Sequence, residues 1–130
     1  MKRKKLILYL QKIFQQHDLS KNHSLICAQY LVKSELIGAK SHGLARLKMY
    51  CDRIKKGVIN PKPKIKVKKL TSSIFHINAD NSIGFVAADV AIKQAIKSAK
   101  KTGFSLIGIK NSGHYGLSGY YAEQAVKKNL

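Results

Sequence analysis

The stretch Asn60-Pro61-Lys62-Pro63 constrains this chain more than any other. Each proline fixes its own φ and drives the residue before it out of helical conformation, so the segment is held extended. The apolar pattern changes across it. Upstream the apolar residues recur with helical spacing, and downstream they begin to alternate as in a strand. The chain is therefore expected to have a helical part over residues 1–60 and an α/β part over residues 61–130.

In the first part, Leu6, Leu8, Leu10, Ile13 and Phe14 mark a helix from about Lys4 to Gln16, ended by His17-Asp18-Leu19. Ser20 is placed to cap a second helix, Lys21 to about Leu36, whose apolar face carries Leu25, Ala28, Leu31, Val32 and Leu36. Gly38 ends it. A third helix is expected from about Leu44 to Lys56, closed by Gly57. In the second part, Ile65–Lys68 alternates and Ser73–Asn78 reads as another strand. A helix from about Phe85 to Lys101 follows, with Gly103 as its cap. Phe104–Ile109 is a short, nearly continuous apolar run that predicts a buried strand. Strand, helix and strand in succession imply parallel pairing. A last helix starts near Leu117 or Ser118.

Two short motifs stand out within this frame. Ser41-His42-Gly43-Leu44-Ala45-Arg46 enters the third helix, with Tyr50 four residues beyond Arg46. His42, Arg46 and Tyr50 are spaced four apart, as on one helical face, with Arg53 continuing the line, while Leu44, Leu47, Cys51 and Ile54 take a different face and can pack as core. A guanidinium binds a carboxylate through two parallel hydrogen bonds, and a histidine titrates near neutrality. Such a face suits a small 2-oxo or 2-hydroxy acid, Arg46 holding the carboxylate while a histidine exchanges a proton with the neighbouring oxygen. The bland alternative is that His42 caps a helix and Arg46 makes a surface ion pair. The second motif, Asn111-Ser112-Gly113-His114-Tyr115-Gly116-Leu117-Ser118-Gly119-Tyr120-Tyr121, is a loop after the last strand. Ligands commonly bind there in α/β sheets. Its glycines are spaced G-x-x-G-x-x-G, which does not match a Rossmann phosphate loop. Tyr115, Tyr120 and Tyr121 are read as packing residues.

These motifs, with Arg53-Ile54-Lys55-Lys56-Gly57, the turn Asp80-Asn81-Ser82-Ile83-Gly84 and the alanine-rich segment after it, resemble the malate/L-lactate dehydrogenase family that lacks a Rossmann domain. That family includes ureidoglycolate, sulfolactate and diketogulonate-type oxidoreductases. The resemblance runs from about Leu36 to the last residue. It implies a sulfolactate dehydrogenase-like α/β fold, NAD or NADP as cofactor, and a small 2-hydroxy or 2-oxo acid as substrate. It assigns catalytic roles to Ser41, His42 and His114, while the spacing and chemistry of the first motif put Arg46 and Tyr50 on the substrate. No cofactor-binding residue can be assigned. In the family the serine and histidine work in a relay with a later aspartate, which has no assignable counterpart here. Lys40 stands where relatives often carry an acidic or otherwise polar residue.

Family members are much longer than 130 residues. The expected fold is thus the family's first part, cut short while the cofactor-binding domain is still being built. Either a homodimer or a complementing C-terminal polypeptide would supply the rest. The alternatives to an active dehydrogenase are an inactive remnant and one half of a split enzyme. His42, Arg46, Tyr50 and His114 are expected to converge on one pocket, within a chain or across a dimer.

Charge raises a rival reading. The net charge is +19, from 25 basic and 6 acidic residues, which favours phosphate neutralisation on a nucleic acid. However, 22 of the basic residues are lysines scattered along the chain, and arginine occurs only at positions 3, 46 and 53. Lysine at every turn argues for composition bias, so no specific nucleic-acid partner is expected. The start, Lys2-Arg3-Lys4-Lys5-Leu6-Ile7-Leu8, has a signal-like order of charge, but Gln11, Lys12, Gln15 and Gln16 break the apolar run. No stretch is long and apolar enough to predict a membrane span. Cys27 and Cys51 make no disulfide framework, which fits a reducing cytoplasm. His23 and Cys27 lie four apart, but two side chains do not make a metal site, and no metal is expected. Ser41-His42 also invites a hydrolase reading. It is set aside because no G-x-S-x-G elbow is present and adjacent serine and histidine should point apart.

Overall fold

The computed structural model describes residues 2–130. They form five α-helices, two 3₁₀ turns and a three-stranded sheet, and the chain divides into two compact units, one ending at Lys62 and one starting at Pro63.

In the first unit, α1 (Arg3–Gln15) and α2 (Lys21–Leu36) pack against each other. Leu10 and Phe14 of α1 are buried, as are Cys27, Ala28, Tyr30, Leu31 and Val32 of α2. The side chain of Ser20 accepts a hydrogen bond from His23 N at 3.1 Å, the cap expected there. Gln11, whose polarity broke the apolar run, is buried and donates from Nε2 to the carbonyl of Lys21 at 3.0 Å. After α2 the left-handed Gly38 (φ 84°) turns the chain, and Ala39 N donates back to Ser34 O at 3.0 Å.

The third helix departs from expectation. The chain winds as two 3₁₀ turns, Lys40–His42 and Leu44–Arg46, before α3 (Leu47–Lys55) begins. Gly43 between the turns has φ −94° and ψ −137°, which is far from helical. Residues on either side of it cannot share an α-helical face. The face expected to carry His42, Arg46 and Tyr50 together therefore does not exist as a helical face. Leu44 and Leu47 are half-buried, and Cys51 and Ile54 reach the core as expected.

The second unit holds the sheet, in the order β1-β2-β3. Strand β1 (Lys66–Lys69) is antiparallel to β2 (Ile74–Ser82), and β2 is parallel to β3 (Leu106–Ser112). The connection between the parallel strands is α4 (Gly84–Thr102), closed by the left-handed Gly103. Parallel strands need such a crossover, which is why strand, helix and strand in the sequence carried the topology. Phe75, Ile77 and Ala79 of β2 and Phe85, Val86, Ala87, Ala88 and Ala91 of α4 form the core. Helix α5 (Gly119–Val126) follows the second motif.

Two expectations fail in this unit. Strand β3 is not buried: it lies at the sheet edge, with Leu106 61 % and Ile109 39 % exposed. A continuous apolar run identifies a strand whose neighbours are meant to be apolar, but does not require this chain to provide them. Strand β1 forms where the alternation predicts it, and it is exposed throughout. Asp80-Asn81-Ser82 is not a separate turn but the end of β2, kinked where Asp80 and Asn81 take positive φ and the pairing register shifts. Asp80 there accepts a hydrogen bond from Lys64 N at 2.9 Å.

Candidate functional site

The first motif hangs from the end of α2. Ser41 Oγ lies 3.0 Å from His42 Nδ1, so the adjacent side chains point together rather than apart. This corrects the geometric reason for setting aside a hydrolase; the missing elbow still stands. Arg46 reaches back across the turn, its Nε donating to the carbonyl of Ser41 at 2.7 Å. Ser41 is exposed, while His42 and Arg46 are half-buried. One short turn thus holds a hydroxyl, an imidazole and a guanidinium.

Tyr50 has a different setting, being 1 % exposed. Burial pushes its phenol pKa well above the ordinary value, as do the neighbouring Tyr30 and Cys27, against a smaller opposing pull from Arg46 and Arg53. Its hydroxyl therefore stays protonated, and it belongs to the core that supports the turn.

A residue missed in the sequence secures this motif. Glu35 Oε2 accepts a hydrogen bond from Leu44 N at 3.1 Å. Gly43 lies against the same residue: a Cβ there would stand 2.4 Å from Glu35 Oε2 and 3.2 Å from Glu35 N. The glycine is thus required by close approach rather than by φ. No periodicity relates a residue near the end of one helix to a turn eight positions on, so Glu35 left no signal beyond the scarcity of acidic residues.

His114 lies in the exposed loop between β3 and α5. The backbone there is fixed from below by Gly84, the first residue of α4, where a Cβ would stand 2.4 Å from His114 O and 2.5 Å from Gly113 O. On the other side Tyr121 OH donates to Tyr115 O at 2.9 Å, and their rings lie 5.9 Å apart. Tyr120 and Tyr121 meet edge to face at 5.3 Å. These tyrosines pack the loop onto α5, as expected. Beside the loop is an open cleft of about 400 Å³, floored by Ala88, Ala91 and Ala95 of α4 and walled by Ile107, Ile109 and Tyr115.

Comparison with known proteins agrees with this fold. A sequence model described as malate/L-lactate dehydrogenase matches residues 1–130. A malate/(S)-sulfolactate dehydrogenase of Methanothermus fervidus is 37% identical over 92% of this chain, which spans 35% of that protein. The ureidoglycolate dehydrogenase (NAD(+)) of Escherichia coli O157:H7 is 34% identical over 88% of the chain and 33% of that protein. The structure of malate dehydrogenase from Pyrococcus horikoshii OT3 superimposes with a TM-score of 0.93, at 36% identity, over 97% of this chain and 36% of that one. The chain thus spans about a third of the length of the relatives it matches.

Proposed function

Since this chain belongs to the malate/L-lactate dehydrogenase family, we propose that it carries the substrate-side residues of an NAD- or NADP-dependent oxidoreductase acting on a small 2-hydroxy or 2-oxo acid. The observation that carries the reading is the turn in which Ser41 Oγ meets His42 Nδ1 at 3.0 Å while Arg46 is anchored to Ser41 O at 2.7 Å. With Nε held by the backbone, the Nη groups of Arg46 would meet the substrate carboxylate, which fixes the acid's orientation. His42 or His114 exchanges the proton with the substrate oxygen, and Ser41 orients His42. Tyr50 contributes from the core by holding α3 under Arg46.

The nicotinamide supplies the hydride. The apolar cleft beside Gly113 has neither lysine nor arginine in its lining, so any pyrophosphate there would have to be met by backbone amides. A homodimer or a complementing C-terminal polypeptide is the proposed assembly, in the cytoplasm, where the buried thiols of Cys27 and Cys51 stay reduced.

The test is to mix the purified chain with NADH or NADPH and a panel of 2-oxo acids, then to repeat with a C-terminal polypeptide of the family added. The chain alone is expected to show no sustained turnover. Activity restored by the second polypeptide, and lost again in Arg46→Lys and His42→Ala, would support the assignment. Restored activity indifferent to both substitutions would remove it. Robust turnover by the isolated chain would refute the need for a partner, and absence of restoration would favour an inactive remnant.

A further inference from the structure

We propose that Glu35 is a positioning residue for His42, holding the imidazole in one orientation and tautomer through the backbone of Gly43 and Leu44. The proposal rests on the reading of His42 as a proton-exchanging group, and goes beyond it by naming what keeps that group in place.

His42 is flanked by two clamps. On its N-terminal side, Arg46 Nε holds the Ser41 carbonyl at 2.7 Å. On its C-terminal side, Glu35 Oε2 holds Leu44 N at 3.1 Å, and Gly43 lies directly on the same carboxylate. Gly43 is the residue most able to change conformation, because glycine has the widest choice of φ and ψ. A charged acceptor on the amide just beyond it removes that choice. With the Ser41 carbonyl and the Leu44 amide both held, the backbone through His42 is fixed, Ser41 Oγ and His42 Nδ1 stay at their 3.0 Å separation, and the ring keeps one orientation in which the hydroxyl donates to or accepts from Nδ1.

The use of a carboxylate here is informative because carboxylates are scarce. Of the six acidic residues, Asp18, Asp52, Asp89 and Glu123 pair with lysines. Glu35 and Asp80 accept from backbone amides. Asp80 holds the start of the second unit, at Lys64, against the kink of β2. Glu35 holds the turn that carries the candidate catalytic histidine.

The test uses the full chain with 15N-labelled histidine, and reads the His42 ring nitrogens by NMR across a pH titration. In the parent protein one neutral tautomer should dominate. Glu35→Ala should bring the two tautomers to within about threefold of each other, while the helical circular dichroism stays unchanged. Glu35→Gln keeps an oxygen acceptor of the same reach and should restore the parent spectrum. A folded Glu35→Ala variant with an unaltered His42 spectrum would overturn the proposal, as would a Glu35→Gln variant as disturbed as Glu35→Ala. Should Glu35→Ala not fold, Gly43→Ala offers the same readout, since its methyl group displaces the carboxylate from within. No turnover is needed. An altered His42 spectrum in a protein that does not oxidise NADH even with the C-terminal polypeptide added would sustain the positioning role and defeat only the enzymatic reading.

Discussion

Single residues in this protein are placed by close approach as much as by pattern, which is why several were invisible in the sequence. Gly84 looked like one small residue in a turn, but its place beneath the carbonyls of Gly113 and His114 depends on a strand that returns nearly thirty residues later. Gly84→Ala should therefore destabilise the protein by about 2 kcal/mol through overpacking, although alanine is the better helix former. Urea unfolding measures this, and a gain in stability would show that the loop yields freely. The Ser41–His42 contact was likewise unreadable, because it depends on 3₁₀ winding rather than on spacing. Cys27 and Tyr50 make a second case at this scale. Burial raises both pKa values, so the folded state keeps protons that the unfolded chain releases near the ordinary values of 9.0 and 10.0. Above about pH 9 the unfolded state then binds fewer protons, and stability must fall as pH rises. Melting temperatures taken from pH 8 to about pH 10.5 should decline more steeply for the parent than for a Cys27→Ala/Tyr50→Phe variant. Parallel curves would contradict this.

At the scale of elements, most of the secondary structure was legible because its signals are local. Ser20 before an apolar-periodic run gave the start of α2, and Gly103 gave the end of α4. The parallel pairing of β2 and β3 followed from the helix between them. Burial of whole elements was less legible, since it depends on what lies across from them. The composition of β3 predicts burial, yet the strand is an edge with Leu106, Ile109 and the preceding Phe104 exposed. Such an edge is a template for pairing with another strand. Self-association should be measurable by sedimentation and reduced by Ile109→Lys, with unfolding stability unchanged within ~0.5 kcal/mol. A variant that associates as strongly as the parent would place the sticky surface elsewhere. The cap of α2 gives an independent check: Ser20→Ala should cost ~1 kcal/mol in urea unfolding. A cost near zero would mean that His23 N finds another acceptor.

For the molecule as a whole, the fold class was readable and the candidate site only in part. The order of helices, strand, helix and strand is in the sequence, whereas the Glu35 clamp and the support under His114 exist only in three dimensions. The charge of +19 belongs to this scale too. Its lysines should give weak attraction to DNA and RNA of any sequence, fading steeply between about 50 mM and 200 mM salt. Filter-binding titrations at both salt concentrations test this, and a tight sequence-specific complex at the higher one would overturn the reading of the lysines as composition. One further consequence follows from the one-sided pairing of β3. Along a parallel strand successive backbone amides point to opposite sides, so alternate N–H groups between Leu106 and Ser112 turn toward β2 and the others face outward. Deuterium should therefore enter this strand at every second residue, while Phe75–Asn78 of β2, paired on both sides, stays uniformly slow to exchange.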